Sequence, residues 1–237
     1  MESLFQFVSP PSPCGYLPDR LAQYENELIG SMTPAEYQRR MEDGWRRFGR
    51  LIFRPRCHGC RSCESLRIDT ACYRPDRSQR RNRAMNEGHV LLEVGEPDVD
   101  TERLDLYDRY HTHQTQHRGW PGQCSKDAAE YYDSFVDNPF PAEEWRFRLD
   151  GQLVGVGYVD RLPTALSAIY FYYDPDLRDR GLGTWNVQSV IERAADQGIP
   201  YVYLGYFVDG SASLAYKANF RPNQVLRGDD AWHDYRL

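Results

Sequence analysis

The stretch from Tyr170 to Phe220 constrains the fold of this chain more than any other part of the sequence. It reads as a tyrosine-rich strand, a basic turn with Gly181 and Gly183, an amphipathic helix and a second hydroxyl-rich strand. Where a glycine-rich turn opens a helix, backbone N–H groups can cradle phosphates. The sequence therefore predicts a site for a phosphorylated or nucleotide-bearing ligand.

An α+β pattern surrounds that stretch, with the order β-β-β-turn-α-β-α-β in the second half of the chain. Asp150-Gly151 is typical of a tight hairpin turn, and apolar residues from Val187 to Ala195 recur at helical spacing until Gly198. The predicted elements are strands at 145–149, 153–159 and 168–172, the helix after the glycines, a strand at 202–207, a short helix at 211–217 and a terminal hairpin. This order favours a mixed, mostly antiparallel sheet with flanking helices.

The first hundred residues are predicted to be less regular. We expect residues 1–32 to be irregular, and Thr33-Pro34-Ala-Glu36 carries the signals of a helix start, for a helix that runs to about Phe48. The further predicted elements are strands at 51–54, 66–68 and 89–94, a helix capped by Thr101 and a helix at 126–136 capped by Ser125. We expect two domains, at residues 1–100 and 101–237.

Positive charge is concentrated in one part of the chain. The net charge is −6, but Arg46 to Arg83 contains twelve arginines against Glu64, Asp69 and Asp76. Lysine occurs only as Lys126 and Lys217. Because guanidinium groups suit phosphate contacts and stacking on bases, this patch predicts contact with RNA or another polyanion. The alternative is a solvated, arginine-rich face.

Four cysteines form the sharpest local pattern of the first half. Cys57, Cys60 and Cys63 are each separated by two residues, and Cys14 can supply a fourth ligand. In a cytosolic protein this pattern indicates metal or redox chemistry before disulfides, and both zinc and an iron–sulfur cluster are chemically sensible. Unliganded thiols packed under a loop are the alternative. For His111, His113 and His117 we expect solvated or tRNA-facing side chains.

The basic turn and its flanking elements resemble the GNAT acyltransferase fold. In that fold a loop of the form Q/R-x-x-G-x-G/A binds the pyrophosphate of acyl-coenzyme A, and here Arg178-Asp-Arg180-Gly181-Leu-Gly183 matches it. The resemblance implies a GNAT-like acyltransferase domain at 101–237 behind a basic, cysteine-containing region at 1–100.

Several segments together resemble one branch of such enzymes, the aminoacyl-tRNA–protein transferases, and the compact length is similar to its leucyl-transferring bacterial members. These enzymes attach an amino acid from a charged tRNA to the N-terminus of a protein. The matching segments, in order, are Cys14-Gly-Tyr16-Leu17-Pro18, Gly44-Trp-Arg46-Arg47-Phe48-Gly49, 54–63, Arg77-Ser78-Gln79-Arg80-Arg81, 167–175, Tyr203-Leu204-Gly205-Tyr206 and 216–222.

The resemblance implies a function and its parts. We expect leucine, or arginine, to pass from charged tRNA to proteins that begin with Asp or Glu, which marks them for degradation in the N-degron pathway, with no need for coenzyme A. It also makes an iron–sulfur cluster on Cys14, Cys57, Cys60 and Cys63 the preferred metal centre, with zinc as the alternative.

The predicted transferase function assigns a role to each candidate site residue. Asp160, Tyr206 and Lys217 are predicted to be catalytic, with Asp160 orienting or deprotonating the attacking amine, and Lys217 pairing with an acidic side chain or the oxyanion. The predicted substrate-binding residues are Ser167, Tyr170, Arg178, Arg180, Gly181, Gly183 and Tyr216, and the predicted tRNA-binding residues are Arg77, Arg80 and Arg81.

Two other functions remain open at the level of sequence. One is an acyl-CoA-dependent N-acyltransferase, and the other is a noncatalytic RNA-binding or metal-sensing module. No apolar run approaches the roughly 20 residues of a membrane span, so we expect a cytoplasmic protein without a membrane partner.

Overall fold

The computed structural model describes residues 1–118, 120, 125–228 and 231–235. The strands are β1 (Glu2–Val8), β2 (Ser12–Pro13), β3 (Leu21–Ala22), β4 (Tyr24–Ser31), β5 (Arg46–Phe48), β6 (Leu51–Pro55), β7 (Glu64–Asp69), β8 (Val90–Gly95), β9 (Ala142–Leu149), β10 (Gln152–Arg161), β11 (Ala165–Tyr173), β12 (Tyr201–Phe207), β13 (Asn223–Leu226) and β14 (Trp232–Asp234). The α-helices are α1 (Pro34–Glu42), α2 (Arg77–Asn86), α3 (Thr101–Arg118), α4 (Ala128–Tyr131) and α5 (Leu182–Asp196). The remaining turns are a π-helical turn at Tyr132–Val136 and 3₁₀ segments at Pro175–Arg180 and Ala215–Asn219.

The described strands form two main sheets and one short ribbon. The larger sheet has the order β14-β13-β7-β12-β11-β10-β9-β8, and the smaller has the order β1-β4-β6-β5. In the larger sheet the pair β11–β12 is parallel, and the other neighbouring pairs are antiparallel. The predicted α+β architecture with a mostly antiparallel sheet is therefore confirmed.

The larger sheet draws strands from both sides of residue 100. Strand β7 lies between β13 and β12, and β8 pairs with β9. The first hundred residues thus contribute two strands to this sheet in addition to the smaller sheet. The division into domains at residue 100 stays a prediction.

The main core lies between the larger sheet and α5. Trp145 and Phe147 of β9, Leu66 and Ile68 of β7, and Val190 of α5 are fully buried in one apolar cluster. The helical spacing of the apolar residues in α5 creates the face that packs on the sheet, and burial of each such side chain stabilises the fold by about 1.5–3 kcal/mol. In the described ranges, no helix is both long and apolar enough to cross a membrane.

The first 32 residues differ from the prediction, because they contain β1 and β4. Strand β4 escapes pattern reading since two of its buried residues, Asn26 and Glu27, are polar. The carboxylate of Glu27 is compensated by Arg40 of α1, 3.0 Å away. Because its charge is paired within the fold, this polar strand can lie in the interior.

Two helices also differ from their predicted bounds. Helix α1 starts at the predicted capping box but ends at Glu42, and Gly44 follows in a left-handed conformation (φ 83°) that favours glycine. Residues Arg46–Phe48 then form β5 instead of continuing the helix to Phe48. The helix predicted at 126–136 begins at Ala128, because Asp127, and not Ser125, provides the N-cap.

Candidate active site

A notch between β11 and β12 lies at the centre of the predicted site. These parallel strands pair only where Ala165–Ser167 lies beside Tyr201–Tyr203. Beyond that point β12 bulges at Gly205 (φ 77°), and its later residues pair with β7 on the other side. The carboxyl-terminal halves of the two strands are therefore unpaired with each other, and the carboxyl ends of parallel strands are a common place for ligands in α/β proteins.

Lys217 lies at the β12 side of this notch. Its ammonium Nζ donates a hydrogen bond to the backbone oxygen of Tyr206, 2.9 Å away. A Cβ atom added to Gly205 would lie 3.5 Å from the same Nζ, at ordinary van der Waals distance, so the ammonium packs directly against the bulge. Burial, aided by the positive charge of Arg46, lowers the pKa of Lys217 to about 7. Lys217 can therefore gain or lose its charge near neutral pH.

Tyr206 presents its backbone and not its hydroxyl to Lys217. The hydroxyl donates to the backbone oxygen of Gly44, 2.8 Å away, and lies 3.3 Å from that of Phe53. Burial raises the pKa of Tyr206, which keeps the hydroxyl protonated. Its hydroxyl joins the smaller sheet to β12, so any catalytic role predicted for this phenol requires that these bonds break.

Asp160 is fully buried and forms an ion pair with Arg47. The Nε of Arg47 donates to Oδ2 of Asp160 at 2.8 Å, and Nη2 of Arg47 donates to Oδ1. Arg47 also donates to Oδ1 of Asn138, 2.6 Å away. Burial raises the pKa of Asp160, while Arg47 opposes that rise. With both carboxylate oxygens engaged, the predicted action of Asp160 on an amine would require the ion pair to rearrange.

Tyr170, at the β11 side of the notch, is paired with a histidine. Its hydroxyl lies 2.7 Å from Nε2 of His111, and Nδ1 of the same ring lies 2.7 Å from the backbone oxygen of Tyr107. A carbonyl oxygen can only accept, so Nδ1 carries the proton and Nε2 accepts from Tyr170. Burial lowers the pKa of His111, which favours the neutral ring. The expectation of a solvated or tRNA-facing His111 is therefore wrong.

Two further predicted residues flank the notch. Ser167 is buried in β11, between Asp160 of β10 and Tyr203 of β12 in the register. Tyr216 is 46% exposed at the start of the 3₁₀ segment that carries Lys217. Burial is the main cause of the raised pKa of Tyr110 on α3, and Tyr216 adds to that rise, so the two tyrosines are near each other. The segment Ala215–Asn219 thus reaches from β12 towards α3.

The predicted phosphate loop has an uncapped helix start. Gly181 adopts a left-handed conformation (φ 61°), and α5 begins at Leu182 without a side-chain cap. The first N–H groups of a helix have no partner within the helix, so this end of α5 can bind an anion. A Cβ atom at Gly183 would meet nothing within 4 Å, so this residue leaves the approach open. Arg178 is exposed beside it, and Arg180 donates to the backbone oxygen of Met85, 3.4 Å away.

Helix α2 holds this loop in place through two asparagines. Nδ2 of Asn82 donates to the backbone oxygens of Arg180 and Gly181, at 2.8 and 3.1 Å, and Nδ2 of Asn86 also donates to that of Arg180. The buried face of α2 therefore contacts the loop. Its three predicted tRNA-binding residues lie on the exposed face, and these are Arg77, Arg80 and Arg81.

The four cysteines lie close together beside the smaller sheet. Burial is the main cause that raises the pKa of Cys63 to about 12, and the other three thiols add to the rise. Backbone N–H groups donate to two of the sulfurs, from Tyr16 to Cys14 at 3.5 Å and from Gln23 to Cys57 at 3.4 Å. Such N–H···S bonds and a four-thiol donor set fit a zinc or iron–sulfur centre. No group of three His, Cys, Asp or Glu side chains in the described residues is preset to hold a metal ion.

An aromatic contact joins the cysteines to the notch. The ring of Phe53 packs between Tyr24, 6.0 Å away, and Tyr206, 6.3 Å away. Burial is the largest cause of the raised pKa values of Tyr24 and Tyr206; Cys14, Cys57 and Cys63 add to the rise at Tyr24, and Cys63 adds to that at Tyr206. An aromatic layer of Tyr24, Phe53 and Tyr206 therefore connects the surroundings of the cysteines to the residue that accepts from Lys217.

Comparison with protein families decides which group of enzymes this site belongs to. Residues 102–227 match the model "Arginine-tRNA-protein transferase, C terminus", and residues 12–81 match the corresponding N-terminal model. The chain belongs to the arginine-tRNA–protein transferase family. The predicted family and the predicted class, an aminoacyl-tRNA–protein transferase, are thus confirmed.

Individual members of the family resemble the chain over almost its whole length. A protein named aspartate/glutamate leucyltransferase from Campylobacter jejuni is 35% identical over 94% of this chain and 92% of its own. Proteins of the same name from Stenotrophomonas maltophilia and Nitrosococcus oceani are 35% and 36% identical, over 99% and 95% of this chain and 94% of their own. Among solved structures, FemX has a similar fold, with a TM-score of 0.53 at 9% identity over 91% of this chain and 72% of its own.

The fold places the predicted residues of this transferase in two groups. Lys217, Tyr206, Ser167 and Tyr170 border the notch, and Tyr216 flanks it. The loop with Gly181 and Gly183 lies at the start of α5, where α2 presents its arginines. The sequence did not predict that Arg46 affects the pKa of Lys217, although Arg46 lies in one of the family segments, and the prediction for His111 was wrong. Residue spacing reveals neither a buried guanidinium nor a tyrosine–histidine pair, since both depend on contacts between distant segments.

Proposed function

We propose that this transferase moves leucine from Leu-tRNA to the N-terminal amine of proteins that begin with Asp or Glu, in the cytoplasm and as a step of the N-degron pathway. The names of relatives at 35–36% identity support this choice of donor and acceptor. The observation that carries the proposal is the position of Lys217 beside the notch. Among the described residues, no carboxylate lies within 4 Å of its ammonium group. The ammonium can therefore stabilise an oxyanion, and the nearby start of α5 can bind a phosphate.

The loop and α2 form the donor side in this proposal. The uncapped start of α5 takes a phosphate near the terminal adenosine of the tRNA, in the place where a GNAT enzyme holds its coenzyme-A pyrophosphate. Arg77, Arg80 and Arg81 contact phosphates of the acceptor end without reading its sequence. Because Asn82 ties α2 to the loop, both contacts position one tRNA end.

The chemistry needs no covalent enzyme intermediate. The neutral amine of the acceptor attacks the ester carbonyl carbon of leucyl-tRNA, an amide bond forms, and the ester bond to the ribose breaks. The proton lost by the amine replaces the bond at the ribose oxygen. Catalysis therefore consists of orientation and of stabilising the oxyanion, which is the role we give to the charged form of Lys217.

Proton transfer is assigned to Tyr170 and His111. The hydroxyl of Tyr170 takes the proton of the attacking amine as it gives its own to Nε2 of His111, which is neutral and already accepts that hydrogen bond. When the ester bond breaks, the relay runs in reverse, and the proton passes from His111 through Tyr170 to the ribose oxygen. Asp160 positions Tyr170 indirectly in this scheme. Its ion pair with Arg47 fixes β5 against β10. The residue after Arg47 in β5 is Phe48, and its ring packs on the ring of Tyr170.

A metal centre on Cys14, Cys57, Cys60 and Cys63 forms part of the proposal. An iron–sulfur cluster is preferred to zinc because of the family resemblance. When bound, it would cross-link the loop before β7 to the segment after β2 and so fix Tyr24 and Phe53 against Tyr206. The four cysteines of this chain supply the ligands.

The proposal is tested by varying donor and acceptor in one assay. The protein is incubated with labelled Leu-tRNA, Arg-tRNA or acetyl-CoA and with peptides that differ only in the first residue, Asp, Glu, Asn or Lys. An N-acetylated Asp peptide serves as the control for attack by the α-amine. We expect label from Leu-tRNA to be transferred far faster to the Asp and Glu peptides than to the Asn and Lys peptides. Transfer from acetyl-CoA, or equal transfer to all four free amines, would contradict the proposal.

A further inference from the structure

Arg46 is a buried arginine at the start of β5, and only 6% of it is exposed. Its Nη1 donates to the backbone oxygens of Met41 and Trp45. Its Nε and Nη2 are also buried but have no hydrogen-bond partner. Among the described residues, no carboxylate lies within 4 Å of this guanidinium. A buried charge without a counter-ion is costly, so this arrangement calls for a ligand.

Two other buried arginines show what the free edge of Arg46 is shaped to bind. Arg47 uses Nε and Nη2 to hold the two oxygens of Asp160, and Arg103 uses the same two nitrogens to hold those of Glu144. These nitrogens lie on one edge of the guanidinium plane and match a carboxylate in a bidentate pair. In Arg46 the equivalent edge is the one without a partner.

The surroundings of Arg46 place its guanidinium against two residues of β12. Its guanidinium lies over the rings of Tyr203 and Tyr206, at 5.6 and 5.4 Å from their centres. Tyr206 is also the residue whose backbone oxygen accepts from Lys217. Burial is the main cause of the lowered pKa of Lys217, and the positive charge of Arg46 adds to it, so the two side chains are near each other.

We propose that the edge of Arg46, with Lys217 beside it, binds the side-chain carboxylate of the Asp or Glu at the N-terminus of the acceptor protein. This specificity site rests on the proposed function and names the residue that selects its acceptor. Two carbons in Asp, or three in Glu, separate the α-amine from that carboxylate, so a carboxylate held next to Lys217 keeps the amine near the notch. Since Nε and Nη2 do not touch solvent in the unliganded protein, binding requires local side-chain movement.

The test compares acceptors that differ by one charge. Leucyl transfer is measured with peptides beginning with Asp and with Asn, which have the same shape, and the ratio of their kcat/KM values is taken. In Arg46→Gln we expect this ratio to fall at least about tenfold, because transfer to Asp is lost while transfer to Asn changes little. Arg46→Lys keeps the positive charge but not the bidentate guanidinium edge, so its Asp/Asn ratio should lie between those of the wild-type protein and Arg46→Gln.

The control is Arg54→Gln, which removes an arginine that also lies over an aromatic ring, that of Trp45, but is exposed and paired with Glu25. It should keep the wild-type ratio. An unchanged ratio in folded Arg46→Gln, or equal loss of transfer to both peptides, would overturn the proposal. Loss of metal with an unchanged ratio would instead place the free edge towards the cysteines and also overturn it.

Two outcomes separate this inference from the function on which it rests. If the wild-type protein transfers no leucine to the Asp peptide, the proposed function fails. If the wild-type protein transfers leucine to the Asp peptide and the Arg46 variant discriminates against Asn as strongly as the wild type, only the specificity site fails. Should Arg46→Gln not fold, the same ratio in Arg46→Lys decides, with an unchanged value counting against the proposal.

Discussion

The Nζ of Lys217 donates to the backbone oxygen of Tyr206 across 2.9 Å, directly beside the bulge that Gly205 makes in β12. This bond fixes a lysine with a pKa of about 7 at the edge of the notch. A Cβ atom on Gly205 would lie at ordinary van der Waals distance from the ammonium, 3.5 Å, so the left-handed backbone of the bulge, and not crowding, favours glycine there.

Removal of Lys217 should impair transfer. We expect Lys217→Ala to reduce kcat/KM for Asp- and Glu-starting peptides at least about tenfold, or roughly 1.4 kcal/mol of transition-state stabilisation. Lys217→Arg should rescue poorly, since a planar fork does not reproduce a point donor. Steady-state kinetics on folded variants provides the measurement, and wild-type rates in both would place the site elsewhere.

The defect of Lys217→Ala should also depend on pH. Because the pKa of Lys217 is lowered to about 7, its charged form is present below that pH and is lost above it. The ratio of wild-type to variant rates should therefore be largest below pH 7 and shrink as the pH rises through it. A ratio that is constant from pH 6 to pH 9 would show that the charge of Lys217 does not contribute.

Loss of the Tyr170 hydroxyl should slow transfer most near neutral pH. In Tyr170→Phe the amine loses its path to His111, so we expect a deficit of at least about tenfold at pH 7. The deficit should become smaller near pH 9, where a peptide amine with a pKa of about 8 is already neutral. A pH–rate profile compares the two proteins. Parallel profiles would argue against the relay and for a packing role of the ring.

The two glycines of the phosphate loop should respond differently to valine. Gly183→Val should fold normally and weaken the binding of charged tRNA, because the added side chain enters open space next to the start of α5. At Gly181 the conformation is left-handed and a Cβ atom would lie 2.6 Å from Nδ2 of Asn82, so Gly181→Val should unfold the loop. Thermal denaturation and tRNA binding distinguish them. Unchanged kinetics in Gly183→Val would remove the loop from the donor site.

The exposed arginines of α2 should govern the salt dependence of tRNA binding. Reversal of Arg77, Arg80 and Arg81 to Glu should weaken binding and flatten the slope of log Kd against log salt, by roughly 0.7–0.9 per lost phosphate contact. Reversal of Arg39 and Arg193, which are also exposed, is the control and should keep the slope. If the triple variant kept the wild-type slope, its arginines would be a solvated face.

The cysteine cluster should bind a metal centre when the protein is purified without oxygen. We expect iron and sulfide, or zinc, in a constant ratio to protein, and loss of that content in Cys57→Ala or Cys63→Ala. Because the aromatic layer connects the cluster to Tyr206, the same variants should also lower the melting temperature. Four freely reactive thiols without metal after anaerobic purification would contradict the site.

The second half of the chain was largely predictable from the sequence, and the N-terminal part was not. Asp150-Gly151, the spacing in α5 and the glycine at its start are local signals, and each marks an element that the structure contains. Strand β4 was missed because it buries Glu27, whose partner Arg40 lies in another element. The end of α1 was missed because β5 pairs with β6 further along the chain.

The sequence identified candidate site residues, but it did not predict the contacts that surround them. Lys217 was recognisable because lysine is so rare in this chain, and its neighbour Tyr206 came from a family segment. The pairing of Asp160 with Arg47, 113 positions away, could not be read from spacing. The same holds for Arg46, whose unpartnered edge is visible only once the surrounding contacts are known.

The most direct test of the central claim is a competition between two donors. Equal amounts of Leu-tRNA and Arg-tRNA are incubated together with the protein and a peptide that begins with Asp, and the mass of the product identifies the residue added to its N-terminus. Our account predicts leucylated Asp peptide and much slower leucylation of the same peptide beginning with Asn. Arginylated product, or modification of both peptides alike, would contradict it.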